Sequence, residues 1–167
     1  SSDVCSSDLA TDAADGDKEI TASGTVSIKD TVEYKNLIPG KEYVVKGTLM
    51  DKATGKALLV DGKEVTAEAK FTAEKADGTV DVIFTFNGNG LGNKTTVVFE
   101  SLTIEGSEVA SHTDINDEAQ TVKFVTPPAK VKTGDDNTMY MLFGGAGILL
   151  IAGAAFLIAG KKKKAAK

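Results

Sequence analysis

The sequence predicts an all-β chain, an antiparallel, immunoglobulin-like β-sandwich followed by a single C-terminal transmembrane helix. Apolar and polar residues alternate in several short segments, as is typical of half-buried strands. Turn-forming residues separate these segments, and no convincing helical pattern precedes the C-terminal region. The helix is predicted from an uncharged, apolar run over residues 139–160, because about 20 such residues cross a bilayer core.

The clearest strand covers residues 25–34, where one face is apolar except at a single position and the other face is polar. A turn at residues 38–41 separates it from the next strand. The glycine-rich residues 87–93 are interpreted as a hairpin turn rather than a phosphate loop, because no helix follows them. The remaining strands are predicted over residues 42–50, 65–72, 80–86, 95–104 and 120–124.

Three polar residues occupy positions where the alternation requires apolar ones. Asp30, Glu100 and Gln120 each share a face with apolar neighbours two residues away, so all three are expected to point into the core. Burying an unpaired carboxylate is costly, and such groups usually take up a proton or find a partner. Periodicity alone leaves two interpretations open: a functional cluster, or a satisfied polar network with a bulge that turns one residue outward.

Composition and charge exclude several classes of protein. The chain has 19 basic residues, all of them lysine, against 24 acidic ones, and this net charge of −5 does not favour a nucleic-acid partner. The single Cys cannot form an internal disulfide. Asp114, Asp117 and Glu118 lack the spacing of a calcium-binding loop and are interpreted as a solvated turn. No metal and no cofactor is predicted.

The C-terminal region predicts membrane anchoring. A linker over residues 126–138 contains Pro127 and Pro128, which favour an extended chain. The apolar run at 139–160 follows, and then a basic tail at 161–167. Clustered lysines mark the cytoplasmic side of a membrane, so the acidic remainder is expected outside the cytoplasm.

Thr133 and Gly134, followed by the polar end of the linker, the apolar run and the lysines, resemble the C-terminal sorting signal of Gram-positive surface proteins. That resemblance implies that a sortase cuts between Thr133 and Gly134 and joins the threonine to peptidoglycan or to a pilin lysine. Lys130, Val131 and Lys132 stand where the usual signal has Leu-Pro-x. A simple membrane anchor is the alternative.

Residues 30–58, the VVFE motif at 97–100 and the HTDINDEAQTV segment at 112–122 together resemble the T-Q ester-bond domains of Gram-positive surface stalks. In that family a threonine hydroxyl on the first strand attacks the side-chain amide of a glutamine on the last strand. Ammonia leaves, and an ester bond links the two ends of the sandwich. The resemblance assigns the glutamine to Gln120.

The same resemblance assigns Asp30, Glu100 and His112 as the residues that promote the crosslink. His112, the only histidine, would act as general base with Asp30 as its orienting partner. Glu100, kept protonated by burial, would polarise the Gln120 carbonyl or protonate the departing ammonia. The sequence does not predict which way His112 faces. The reaction would occur once per molecule, so the chain is not predicted to be an enzyme.

The family's reactive threonine is missing from its expected position. The pattern around Ala10 puts Asp8 there, and Thr11 lies three residues later, where a regular strand would turn it to the opposite face. Residues 1–9 resemble translated sequencing-adapter read-through, so the native domain is predicted over residues 10–125 with more sequence upstream. We therefore expect that this chain cannot close its ester bond unless Thr11 substitutes.

These observations predict a membrane-proximal stalk domain of a wall-anchored adhesin or pilin at the cell surface. The expected partners are a sortase, peptidoglycan or a pilin acceptor, and the membrane through residues 139–160. A host or glycan ligand would bind through upstream domains. The alternative is a surface β-sandwich that itself binds a carbohydrate or a host matrix protein.

Overall fold

The computed structural model describes residues 3–4 and 8–129, which form strands, turns and loops and no helix. The strands are β1 (Asp3–Val4), β2 (Leu9–Asp12), β3 (Glu19–Thr21), β4 (Thr25–Lys35), β5 (Glu42–Asp51), β6 (Lys56–Ala57), β7 (Leu59–Val60), β8 (Lys63–Glu64), β9 (Thr66–Thr72), β10 (Gly78–Asn87), β11 (Thr95–Ile104), β12 (Ser107–His112) and β13 (Thr121–Val125).

The strands form two main sheets. In the smaller sheet β4 lies at the centre, with β10 along one edge and the short strands β1 and β2 along the other. The larger sheet has the order β3-β13-β11-β5-β6, in which β12 also pairs with β11 and β9 also pairs with β5. Strands β7 and β8 form a separate two-stranded ribbon. Among the described residues, every strand pair is antiparallel except β3 with β13, which is parallel.

The inner faces of the two sheets build one apolar core. Alternate residues of β4 are buried along its whole length, as the sequence predicts. Phe84 of β10 reaches across to β5 of the other sheet, where Gly47 faces its ring. A Cβ at position 47 would overlap that ring, so only glycine lets the sheets approach this closely.

The two ends of the sandwich domain meet beside the core. The backbone N–H of Ala10 in β2 donates to the carbonyl of Ala119, just before β13, at 3.1 Å. The Lys18 ammonium donates to both of these residues' carbonyls, at 2.6 Å for Ala10. Residues that are far apart in sequence are therefore fixed together at one place, and the site described below lies there.

The predicted β-sandwich is confirmed, and the predicted strands match the observed ones to within a few residues. The parallel β3–β13 pair is the exception to the predicted antiparallel arrangement. No helix in the described part of the chain could cross a membrane. The predicted span at 139–160, the tail at 161–167, and Thr133 and Gly134 all lie outside the described residues.

Candidate functional site

The three polar residues predicted to face inward do so. Asp30, Glu100 and Gln120 are 0%, 2% and 0% exposed, respectively. Asp30 lies in the middle of β4, where its backbone neighbours across the sheet are Ala10 of β2 and Val82 of β10. The inward alternation of β4 therefore carries a carboxylate into the core at the point where β2 joins the sheet.

The facing of His112 follows from its strand partner. In the register of β11 with β12, Glu100 lies directly opposite His112, and directly paired residues share a face of an antiparallel sheet. His112 therefore points to the same interior as Glu100, and it is 17% exposed at the end of β12. A single-strand pattern could not give this result, because β12 is short and a bulge shifts its register near Leu102.

The Gln120 amide is held by hydrogen bonds on both its side chain and its backbone. Nε2 donates to Oε1 of Glu100 at 2.9 Å. The backbone carbonyl of Gln120 accepts a hydrogen bond from the N–H of Val98 at 3.1 Å. The backbone N–H of Gln120 donates to Oδ1 of Asp117 at 3.3 Å. Oε1 of Gln120 has no hydrogen-bond partner among the described residues. The amide carbonyl is thus fixed in place with its oxygen unengaged.

Asp117 orients the imidazole of His112. Its Oδ2 lies 3.1 Å from Nε2, while its Oδ1 accepts from the N–H of Ala119 at 2.7 Å. Asp117, which the sequence placed in a solvated turn, thus holds a position at the imidazole, while the orienting role of Asp30 stays a prediction. The signal in the sequence is an Asp two residues before Ala119, where an Asx turn can form.

Asp8, not Thr11, lies at the imidazole. Oδ2 of Asp8 is 3.5 Å from Nδ1 of His112, and its Oδ1 accepts from the N–H of Glu33 at 2.6 Å. Thr11 pairs with Lys29 in β4 and so lies on the opposite face of the sheet from Asp30. Its hydroxyl donates to the Lys29 carbonyl at 3.5 Å. The predicted opposite facing of position 11 is therefore observed.

Burial controls the ionisation of the three acids in the site. It raises the pKa of Glu100 to about 12, with the neighbouring Asp30 adding to the effect. Burial also raises the pKa of Asp30, and it raises the pKa of Asp8 against the lowering effect of the Glu33 N–H. Hydrogen bonds from the side chains of Glu100 and Gln120 counteract the rise in the pKa of Asp30. The acids therefore share protons, and Glu100 is a neutral carboxylic acid at physiological pH.

Comparison with known proteins identifies the family. Residues 7–124 match the family model of the T-Q ester bond containing domain. The chain belongs to this family. T-Q ester bond domains are structural crosslinking domains, which agrees with the prediction that the chain is not an enzyme in the ordinary sense. No curated protein matches the sequence.

Solved structures show the same fold at low sequence identity. A bacterial adhesin from Mobiluncus mulieris, containing intramolecular disulfide, isopeptide and ester bond cross-links, is 18% identical with a TM-score of 0.58. The match covers 76% of this chain and 58% of the adhesin. A second crystal form of that adhesin gives 18% identity and a TM-score of 0.55, covering 72% and 56%. The chain thus spans less than two thirds of the adhesin's length.

A third likeness is more distant. A family 2 glycosyl hydrolase from Bacteroides cellulosilyticus has a TM-score of 0.47 and 10% identity, over 66% of this chain and 14% of the hydrolase. Similarity at this level carries no argument about activity.

The geometry of this T-Q ester bond domain supports acyl-transfer chemistry at Gln120. Nε2 of His112 is engaged by Asp117, so Nδ1 is the nitrogen available to take a proton from a group at position 8. Protonated Glu100 touches the amide nitrogen that would leave. An imidazole, a neutral carboxylic acid and an amide are thus brought together, and the residue at position 8 is a carboxylate. Asp8, Glu100 and His112 also offer donor atoms that could hold a metal ion.

Proposed function

We propose that this T-Q ester bond domain is the membrane-proximal stalk domain of a cell-wall-anchored surface protein, an adhesin or a pilin. We further propose that its crosslinking site has Asp8 in place of the threonine nucleophile, so that the ester does not close. The observation that carries the proposal is the position of Asp8, whose carboxylate lies 3.5 Å from Nδ1 of His112.

The proposed chemistry explains why the residue at position 8 decides the outcome. A threonine there would give its hydroxyl proton to Nδ1 of His112 while its oxygen attacks Cδ of Gln120. The C–N bond of the amide then breaks, and a proton supplied by the imidazolium or by Glu100 lets the nitrogen leave as ammonia. Attack by the Asp8 carboxylate would instead give an anhydride, which is higher in energy than the amide. No stable bond accumulates by that route.

The stalk role is supported by where the two linked positions lie. Position 8 precedes β2 and Gln120 precedes β13, so a bond between them would close a loop that contains nearly all of the sandwich. Tension applied to the ends of the domain would pass through this covalent bond instead of the hydrogen bonds between strands. In the chain-entropy view, closing a loop of about 100 residues is worth about 4–5 kcal/mol.

The first test of this function compares Asp8→Thr with the double variant Asp8→Thr/Gln120→Ala. We expect Asp8→Thr to unfold at a higher temperature and to require more force in single-molecule extension, because only it can form the ester. The double variant carries the same change at position 8 and lacks the acyl group, so it is the matched control. Equal thermal and mechanical stability of the two variants would contradict the proposal.

Anchoring forms the second part of the proposal. It is supported by the sequence of the C-terminal region: the linker at 126–138, the apolar run at 139–160 and the basic tail at 161–167. The proposed partners are a sortase acting at Thr133–Gly134, a peptidoglycan or pilin acceptor, and the membrane. Expressed in a Gram-positive host, the chain should appear in the cell-wall fraction, and Thr133→Ala should move it to the membrane fraction. An unchanged distribution would favour the simple membrane anchor.

A ligand-binding sandwich is the competing function. The large hydrophobic side chains that are exposed in the described part of the chain are Leu9, Ile38, Leu59 and Ile83. None is aromatic, whereas carbohydrate and protein ligands favour aromatic contacts. We therefore expect no signal from this chain on a glycan array, and reproducible binding to one glycan class would favour the alternative.

A further inference from the structure

Three possible metal ligands from distant parts of the chain meet in the site. One donor atom from each of Asp8, Glu100 and His112 lies within 4.8 Å of the others. Nδ1 of His112 and Oδ2 of Asp8 are 3.5 Å apart, which is long for a hydrogen bond. Ligands about 2.0–2.2 Å from a tetrahedral ion are separated by about 3.3–3.6 Å. The spacing therefore suits two ligands of one ion.

The imidazole of His112 is also oriented by a carboxylate, as metal-binding imidazoles usually are. Oδ2 of Asp117 lies 3.1 Å from Nε2, which places the ring proton on Nε2 and leaves the lone pair of Nδ1 directed toward Asp8. Metal-bound histidines almost always donate their other N–H to a carboxylate or carbonyl in this way. The orientation of the His112 ring by Asp117 thus favours a metal ligand at Nδ1, apart from the presence of Asp8 and Glu100.

Each of the two buried carboxyl groups has one oxygen that accepts no hydrogen bond from an N–H group in the described part of the chain. These oxygens are Oδ2 of Asp8 and Oε2 of Glu100, and the two residues are 1% and 2% exposed. Nδ1 of His112 is likewise without a hydrogen bond there. Metal ligands are deprotonated, so a bound cation would displace the proton of Glu100 and would offset the cost of burying the two carboxylates.

We propose that Asp8, Glu100 and His112 bind a first-row divalent metal ion such as Zn²⁺, with Asp117 as the positioning residue that holds the imidazole. Exchanging a threonine for an aspartate at position 8 thus converts a crosslinking site into a metal site. The ion would link the segment before β2 to β11 and β12 by coordination, where the ester would have linked it to Gln120.

The donor set selects the class of ion. An imidazole nitrogen with two carboxylate oxygens suits Zn²⁺ and its first-row neighbours, which accept mixed nitrogen and oxygen ligands. Ca²⁺ requires six to eight oxygen ligands, and this site offers fewer. Ca²⁺ is therefore the control ion, expected not to compete.

The test measures Zn²⁺ binding to the full 167-residue chain, purified in detergent without a polyhistidine tag. It uses a Cys5→Ser background, because a free thiolate also binds zinc. Native mass spectrometry and isothermal titration should show one ion per chain. Asp8→Asn and His112→Gln should weaken binding about 100-fold or more, and Asp117→Asn about 10–100-fold. Glu108→Gln, at an exposed position of β12, is the matched control and should bind as the parent does.

Two further measurements keep the proposal falsifiable if a variant folds poorly. Zn²⁺ should raise the unfolding temperature of the parent but not of Asp8→Thr, which restores the hydroxyl that the family uses. Bound Co²⁺ should show visible absorption of a four- or five-coordinate ion in the parent and in Glu108→Gln. The proposal would be overturned if the parent bound no Zn²⁺, or if Asp8→Asn and His112→Gln bound Zn²⁺ as tightly as the parent does. Failure of the metal proposal can be distinguished from failure of the proposed function, because ester formation in Asp8→Thr is measured without metal.

Discussion

Two buried aspartates show two different ways in which this molecule holds negative charge. Asp51, at the end of β5, has a partner for each carboxylate oxygen. The Lys94 ammonium lies 2.6 Å from Oδ2, and the N–H of Ala53 donates to Oδ1 at 3.0 Å. The hydrogen bond from Lys94 holds the pKa of Asp51 below its usual value. Asp30 lies in β4, where burial raises its pKa although the side chains of Glu100 and Gln120 counteract the rise.

The difference separates an acid that stabilises the fold from acids for which we propose a chemical role. Asp51 with its lysine contributes to stability as long as it is ionised. Asp8, Asp30 and Glu100 instead share protons among themselves, at a cost to folding. Perturbed acids of this kind cluster at functional sites, because a reaction needs groups that can give or take a proton. Opposite pH dependences of stability should distinguish the two regions.

The largest expected effect is on the pH dependence of stability through Glu100. Its folded pKa of about 12 lies far above its ordinary value of 4.5, so the folded state binds the extra proton between these limits. Stability from this group is therefore greatest in acid and falls as pH rises, by up to about 1.4 kcal/mol per pH unit. Glu100→Gln, which imitates the protonated acid, should reduce this slope in urea unfolding series in the presence of a metal chelator.

For this comparison Glu42→Gln serves as the matched control, because Glu42 is an exposed strand residue whose carboxylate pairs with Lys70. Its replacement should leave the slope of the parent unchanged. A parent chain whose stability rises between about pH 6 and pH 8, or a Glu100→Gln variant with the parent's slope, would contradict the assignment of Glu100 as a neutral acid.

The next largest effect is on the stability that Asp51 and its ion pair with Lys94 contribute. Asp51→Ala removes the bond to Lys94 and the one from Ala53, and should lower the free energy of unfolding at neutral pH by about 2 kcal/mol. Because the folded pKa of Asp51 is lowered, its contribution is present above the ordinary pKa and lost as pH falls through the folded one. The sign is opposite to that of Glu100.

Glu42→Ala again provides the control for Asp51→Ala. It removes an exposed ion pair with a 2.8 Å separation, which is worth about 0.5 kcal/mol or less. If urea unfolding showed the same loss in free energy of unfolding for Asp51→Ala and Glu42→Ala, burial would not make the Asp51 ion pair more stabilising than the exposed one.

The smallest expected effect is at Lys18, which joins the two ends of the sandwich by donating to the carbonyls of Ala10 and Ala119. Burial lowers the pKa of this ammonium. Lys18→Met should cost about 1 kcal/mol in urea unfolding. In the Asp8→Thr background it should also slow ester formation, followed by mass spectrometry over time, because the two ends are held less firmly. Unchanged rate and stability would show that Lys18 does not position the site.

Much of the fold could be predicted because each strand is half-buried. Alternation along β4, β10 and β11 depends only on which face meets the core, and that is local information. The same rule correctly predicts that Asp30, Glu100 and Gln120 face inward. The parallel pairing of β3 with β13 could not be predicted, since it joins two short segments about 100 residues apart.

The site was less predictable where it depends on contacts between loops. His112 faces inward because of the register of β12 on β11, which a bulge changes part-way along the strand. Asp117 orients the imidazole from a turn, and the pattern of that turn resembles many solvated ones. The prediction that residues 1–9 are foreign to the native protein stays a prediction. The structure does include Leu9 in β2 and buries Asp8.

The most direct test of the central claim is the intact mass of the chain and of Asp8→Thr. We expect the parent to have the mass calculated from its sequence. Asp8→Thr should be lighter than its own calculated mass by one ammonia, and Asp8→Thr/Gln120→Ala should not. Loss of ammonia from the parent would mean that Thr11 or another group replaces the missing nucleophile. A full-mass Asp8→Thr chain would mean that position 8 is not where the nucleophile belongs. Either result would contradict the proposal that Asp8 replaces the threonine nucleophile.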